Sequence, residues 1–110
     1  MGTMKLSTKE QGALGRLKSE LTQRFALIDF RVYGSKARGE ATSESDIDVM
    51  IEIEEYNHAA ESEIDELVFK SNLEHDCFIS TVIFGRRELE EGPLSESPLY
   101  KAIEREGVRV

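Results

Sequence analysis

Two aspartates, Asp46 and Asp48, open the apolar run DIDVMIEIE and are the residues of this chain best suited to chemistry. Because the side chains of a strand alternate between its two faces, both carboxylates project from the same side and lie close together. Carboxylates in such proximity repel each other unless a cation lies between them. Oxygen ligands in this arrangement suit Mg²⁺, whose remaining positions are filled by water and substrate phosphates.

A glycine and a serine, Gly34 and Ser35, directly follow the β-prone stretch ALIDFRVY. Glycine at this point permits a tight turn and a close approach of the backbone to a ligand. The N–H groups that begin the short helical stretch SKAR, together with the Ser35 hydroxyl, are suited to bind a phosphate. A phosphate site facing a carboxylate pair predicts metal-assisted phosphoryl or nucleotidyl transfer.

A third carboxylate from a neighbouring strand usually completes a two-metal site of this kind. Asp76, which opens the apolar stretch DCFISTVIF, is the best candidate. Glu74 would project from the same face of a strand as Asp76 and is the alternative. A simpler role for Asp76 as a turn or strand-end residue stays open, because element boundaries are poorly defined by sequence.

The elements that must position these residues are predicted in the order α-β-(α)-β-α-β-α-α-β. The helices are expected at about Thr8 to Arg24, in SKAR, at about Ala59 to Asn72, at Arg86 to Glu91 and in PLYKAIERE. The strands are expected in ALIDFRVY, DIDVMIEIE, HDCFISTVIF and VRV. Ser7 and Glu10 form a capping-box pattern before the first helix. The pattern predicts an α+β (mixed α/β) fold in which helices pack on one face of a small mixed sheet. At 110 residues, the chain 1–110 is expected to form a single domain.

The charge is strongly acidic, with 22 acidic and 14 basic side chains and a formal net charge of -8. Between Glu40 and Phe69 there are eleven acidic residues and no lysine or arginine. This balance argues against direct binding of a long nucleic acid. The single cysteine, Cys77, excludes an internal disulfide. The sequence has no apolar stretch of membrane-spanning length and no secretory signal, so we expect no membrane association and a cytoplasmic protein.

The spacing of these residues resembles a family signature. Gly34-Ser35, ten residues and then Asp46-x-Asp48 is similar to the signature of the DNA polymerase β-like nucleotidyltransferase superfamily. The fuller strings GSKARG and SDIDV, and the closing SPLYKAIEREGVRV, resemble the smallest members of that superfamily, the minimal nucleotidyltransferases of prokaryotes. The resemblance extends over most of the chain from about Leu27 onward.

The resemblance implies a polymerase β palm-like fold and a role for each residue of the motif. Gly34 and Ser35 would hold the terminal phosphates of ATP or another nucleoside triphosphate. Asp46 and Asp48 would bind two Mg²⁺ ions, and the third acid, best matched by Asp76, would bind one of them and help to deprotonate the attacking hydroxyl. In some members the third acid lies one pleat further along the strand, at the position of Phe78 here. Arg38 would lie near the phosphates, although a salt bridge to Glu40 or Glu44 explains it equally well.

The resemblance also implies a biological role. Minimal nucleotidyltransferases often act beside a small helical HEPN-domain protein, as the antitoxin of a toxin–antitoxin pair, and can transfer AMP to a tyrosine of that toxin. We therefore expect a Mg²⁺-dependent protein adenylyltransferase. The rival hypothesis is a non-catalytic antitoxin that neutralises its partner by binding alone, for which an acidic surface is well suited. The nucleotide preference, the acceptor and the oligomeric state are not defined by the sequence.

Overall fold

The computed structural model of the protein describes residues 4–40 and 45–110. Within these ranges the helices are α1 (Thr8–Arg24), α2 (Gly34–Arg38), α3 (His58–His75), α4 (Arg86–Glu91) and α5 (Pro98–Glu106), with a 3₁₀ turn at Pro93–Glu96. The strands are β1 (Leu27–Tyr33), β2 (Ile47–Ile53), β3 (Ile79–Gly85) and β4 (Val108–Arg109). The predicted order of elements and the α+β class are confirmed.

The four strands form one mixed sheet in the order β3-β2-β1-β4. Strand β1 is antiparallel to both β2 and β4, whereas β2 and β3 are parallel and are connected by α3. In this register Asp48 of β2 lies between Tyr33 of β1 and Ser80 of β3. The last residues of β1 and the first residues of β2 and β3 therefore lie together at one end of the sheet.

The main core lies on the face of the sheet that α1 and α3 cover. Ser7 begins α1 with the predicted capping box, in which its hydroxyl accepts from the Glu10 N–H at 3.1 Å and its own N–H donates to Glu10 Oε1 at 2.9 Å. The buried side chains of this core alternate along β2 and recur at helical spacing on both helices: Leu14, Leu17, Leu21, Ile47, Val49, Ile51, Ile53, Ile64, Leu67 and Val68. Period-two and period-3.6 apolar patterns predict such faces.

The opposite face carries a second, smaller cluster formed by β2, β3, α4 and α5, so the helices pack on both faces of the sheet and not on one face as the sequence predicts. Met50, Phe84, Leu89 and Ile103 are buried in it, and the rings of Phe84 and Tyr100 meet edge to face with centroids 5.4 Å apart. Asp48 shares its strand face with Met50, so it lies on the side of the sheet that α5 borders. In the described part of the chain, no helix is long and apolar enough to cross a membrane.

Candidate active site

The backbone of Gly34 lies directly against the carboxylate of Asp48. Gly34 follows Tyr33 at the end of β1 and has a φ of +73°, in the left-handed region that favours glycine. A Cβ added at this position would lie 2.5 Å from Oδ2 of Asp48, which is closer than non-bonded atoms approach. Glycine is therefore required at position 34 both for its conformation and for the space that Asp48 fills.

The charge of Asp46 acts on Asp48, as the spacing of the two residues predicts. Partial burial raises the pKa of Asp48, and the neighbouring charge of Asp46 raises it further, whereas Arg38 acts in the opposite direction. Burial, and then the charge of Asp48, likewise raise the pKa of Tyr33. The site thus holds more negative charge than its own residues neutralise, and a cation would relieve that excess.

The turn that carries Gly34 and Ser35 is anchored to the main core through α2. Lys36 is only 3% exposed and forms an ion pair with the Glu10 carboxylate at 2.9 Å. Burial by itself raises the pKa of Glu10, but hydrogen bonds from Ser7 and Lys36 outweigh it, so the pKa is lowered. Glu10, which completes the capping box of α1, therefore also anchors the short helix that begins with Gly34 and Ser35.

Arg38 lies at the end of α2 and is held by two carboxylates. Its Nε donates to Glu40 at 3.1 Å, and its Nη1 donates to both carboxylate oxygens of Glu106 at 3.1 and 3.2 Å. The Glu40 salt bridge considered from the sequence is present, whereas the other predicted partner, Glu44, lies outside the described residues. The N–H of Gly34 donates to Oε1 of Glu106 at 3.3 Å. Glu106, at the end of α5, therefore contacts two of the residues for which the resemblance implies a place at the phosphates.

Comparison with protein families decides the identity of the domain, because the model of the family "Nucleotidyltransferase domain" matches residues 14–107, nearly the whole chain. The chain belongs to the nucleotidyltransferase domain family. The match includes α2, Asp46 and Asp48 at the start of β2, and all of α5.

Two relatives of this nucleotidyltransferase domain have names that describe an activity. The chain is 38% identical to the "Putative protein adenylyltransferase MJ1379" of Methanocaldococcus jannaschii over 65 residues, which are 59% of this chain and 65% of that protein. It is 45% identical to "Protein adenylyltransferase MntA" of Thermococcus cleftensis over 38 residues, which are 34% of this chain and 38% of that protein. The chain thus matches less than two thirds of the length of either relative.

A solved structure has the same fold as this nucleotidyltransferase domain. It is described as the structure of a "putative minimal nucleotidyltransferase" and superposes with a TM-score of 0.63, covering 91% of each chain at 21% sequence identity. At this identity the likeness establishes the fold and leaves the activity to the residues of the site.

Asp76 lies away from the position that the sequence predicts for it. It is the C-cap of α3, with a φ of 51°, and its side chain is 94% exposed and 3.9 Å from the Lys9 ammonium. The prediction that Asp76 opens β3 is wrong, because α3 continues through His75. The alternative, Glu74, is an exposed residue within α3. Asp76 does not form a cation-binding group of three with Asp46 and Asp48.

The side chain of Asn72 explains where β3 begins. Its Oδ1 accepts from the N–H of Ile79 at 2.8 Å, and its Nδ2 donates to the carbonyl of the same residue at 3.2 Å. The N–H of Cys77 also donates to the Asn72 carbonyl, at 3.1 Å. These bonds hold the end of α3 next to Ile79, so the residues before Ile79 form the connection and not the strand.

The residues at the start of β3 that lie next to the aspartates are Phe78, just before the strand, and Ser80 within it. The N–H of Ile47 donates to the Phe78 carbonyl at 2.8 Å, and Asp48 is in register with Ser80. The backbone of Phe78 is therefore next to the residues that begin β2, and the side chain of Phe78 is 65% exposed. The sequence resemblance had marked this position as an alternative for the third acid.

The donor set of the site is suited to a divalent cation. Asp46 and Asp48 supply hard oxygen ligands of the kind that bind Mg²⁺ together with substrate phosphates and water. Among residues 4–40 and 45–110, no three histidine, cysteine or acidic side chains form a group that could hold a metal. The two-ion site implied by the resemblance therefore lacks its third carboxylate in the described part of the chain.

Proposed function

We propose that this domain is a divalent-cation-dependent nucleotidyltransferase that transfers a nucleoside monophosphate, AMP from ATP, to a hydroxyl of a protein partner. The observation that carries the proposal is the contact between the Gly34 backbone and Asp48, with Asp46 beside it. It brings a turn suited to phosphate within reach of two carboxylates suited to a cation. The names of the two archaeal relatives support an adenylyl donor and a protein acceptor.

The reaction needs little covalent chemistry from the protein. The acceptor oxygen forms a bond to the α-phosphorus, the bond from that phosphorus to the oxygen bridging to the β-phosphorus breaks, pyrophosphate leaves and the hydroxyl proton passes to solvent. Gly34, Ser35 and Arg38 bind and orient the phosphates, while Asp46 and Asp48 hold Mg²⁺. When bound, the cation supplies charge stabilisation at the phosphates.

The partner that we propose is a small helical HEPN-type toxin, with this chain as its antitoxin. The support is the resemblance to minimal nucleotidyltransferases and an acidic chain, which suits a basic partner. A second function, neutralisation by binding alone, is favoured by one observation, namely that the residues next to the aspartates at the start of β3 are Phe78 and Ser80, and neither is a carboxylate.

Label transfer distinguishes the two functions. The chain is incubated with Mg²⁺, candidate partner proteins and ATP labelled at the α-phosphate, in parallel with the Asp46→Asn, Asp48→Asn double variant and with γ-labelled ATP. Nucleotidyl transfer predicts that only the α label reaches the partner and that the double variant does not transfer it. Intact partner binding without any transfer would instead establish the binding-only function.

Replacing Phe78 with aspartate is expected to complete the cation site. A carboxylate next to Asp46 should raise the number of bound Mn²⁺ ions from one to two per chain, as counted by electron paramagnetic resonance with a non-hydrolysable ATP analogue, and should accelerate label transfer. Phe69→Asp is a matched control, because Phe69 is also 65% exposed but lies on α3. Two ions bound by the unaltered chain, or none gained by Phe78→Asp, would show that the third ligand comes from elsewhere.

A further inference from the structure

We propose that Glu106 occupies the position of a phosphate group in the nucleotide-free protein, and that a triphosphate binds by displacing this carboxylate from Gly34 and Arg38. The inference rests on the proposed function, because it concerns the same phosphate site. It assigns to the end of α5 a role in setting the affinity for the nucleotide.

The contacts of Glu106 are those that a phosphate oxygen would make. Its Oε1 accepts from the Gly34 N–H at 3.3 Å and from Arg38 Nη1 at 3.1 Å, and its Oε2 accepts from the same Nη1 at 3.2 Å. An N–H group of a tight turn and a guanidinium are donors that bind carboxylates and phosphates alike. The resemblance implies that Gly34 and Arg38 both lie at the phosphates, and Glu106 is hydrogen-bonded to both.

The charges at the site require Glu106 to leave when a triphosphate arrives. The Gly34 backbone lies between two carboxylates, with Glu106 hydrogen-bonded to its N–H and Asp48 Oδ2 against its Cα. A cation can neutralise Asp46 and Asp48, but Glu106 would remain beside the incoming phosphates and repel them. Its side chain is 25% exposed, so solvent is available to it once it is released.

The position of Glu106 makes its release possible without unfolding. It is the last residue of α5, where the partial negative charge of the helix end disfavours a carboxylate. The bond from the Gly107 N–H to the Ile103 carbonyl, 2.7 Å long, closes the helix independently of the Glu106 side chain. Rotation of that side chain therefore breaks only its bonds to Gly34 and Arg38.

A carboxylate that must be displaced lowers the apparent affinity for the ligand, since only the released state is competent to bind. Removing the carboxylate should therefore strengthen binding. We expect Glu106→Ala to bind Mg·ATP and inorganic triphosphate about threefold to tenfold more tightly than the unaltered chain, which corresponds to the loss of one partly exposed charged contact. Glu106→Gln, which keeps the shape but loses the charge, should show a smaller gain in the same direction.

The experiment is calorimetric titration of each variant with Mg·ATP and with inorganic triphosphate, using Glu104→Ala as the matched control on the exposed side of the same helix. Thermal unfolding of each variant establishes that it is folded. Equal affinities in all variants would overturn the inference while leaving the proposed function intact. Weaker binding by Glu106→Ala would also overturn it, because it would show that Glu106 positions Arg38 for the phosphates. Absence of binding in every protein would refute the proposed function, and the inference with it.

Discussion

Replacing Asp48 with asparagine is expected to stabilise the fold and, at the same time, to weaken the binding of Mn²⁺ and Mg·ATP by about 100-fold. The loss follows from removing a charged ligand, since even residues that only orient metal ligands typically change affinity by about 10-fold to 100-fold. The gain in stability follows from the electrostatics of Asp48, and it is measured with a chelator present. A carboxylate that serves function should increase stability and lose ligand affinity when it is replaced. A carboxylate that serves the fold should instead lower stability when it is replaced.

The sign of the stability change follows from the pKa of Asp48. Burial and the charge of Asp46 raise this pKa in the folded protein, so the folded state binds the proton more tightly than the unfolded chain does. Ionised Asp48 therefore costs stability above its folded pKa, and the cost disappears below its unfolded pKa. Asparagine removes the cost, so the gain should be largest at neutral pH and should shrink as the pH falls through the folded pKa.

Thermal unfolding with a chelator, repeated from pH 4 to pH 8, measures the gain in stability. Mn²⁺ titration measures the loss of cation affinity. Asp65→Asn is the matched control, because Asp65 lies on the exposed side of α3 away from the site. The control should change neither quantity. If Asp48→Asn unfolded at a lower temperature than the unaltered chain at pH 8, Asp48 would serve the fold. That result would count against the cation site.

The features that the sequence predicts correctly are those encoded within a few residues. The capping box of Ser7 and Glu10 and the alternation of β2 depend on neighbours along the chain, and both are present in the structure. The juxtaposition of Gly34 with the carboxylates follows from a β1–β2 pairing of strands that are adjacent in sequence. Short-range patterns of this kind largely determine the fold of so small a domain.

The features that the sequence does not predict depend on longer-range contacts. The sequence places Asp76 in β3 because it opens the apolar stretch DCFISTVIF, but the Asn72 side chain, seven residues before Ile79, determines where that strand begins. Glu106 is 72 residues from Gly34, and a glutamate in the last turn of an amphipathic helix has no local feature that distinguishes it from a solvent-exposed one. Only the arrangement of α5 beside the sheet reveals its contact with the phosphate site.

Replacing Gly34 with alanine is expected to destabilise the protein by about 1–3 kcal/mol and to abolish nucleotide binding. A non-glycine residue at a φ of +73° costs about 1–2 kcal/mol, and strained positions of this kind cost about 1–3 kcal/mol in general. The new methyl group would lie 2.5 Å from Asp48 Oδ2, so this carboxylate must move away from the turn. Chemical denaturation and Mg·ATP titration measure the two losses.

Glycines in α1 are the matched controls for this substitution. A Cβ added at Gly12 or Gly15 meets no atom within 4 Å, and both residues are exposed within the helix. Alanine at either position should stabilise the protein by about 0.5–1 kcal/mol, because it restricts the unfolded chain and favours the helix. A similar gain at position 34 would contradict the left-handed conformation of Gly34.

A double-mutant cycle tests the contact itself. Asp48→Ala removes the Oδ2 atom that the new methyl group would meet, and the remaining Cβ of residue 48 lies at an ordinary contact distance of 3.6 Å. Gly34→Ala should therefore cost less in the Asp48→Ala background, where only the backbone strain remains. An equal cost in both backgrounds would show that Gly34 is required for its backbone conformation alone and that Asp48 is free to move. A smaller loss of stability in the Asp48→Ala background would establish that the Gly34 turn and the Asp48 carboxylate are in direct contact. A site that binds a phosphate and a cation side by side requires such a contact.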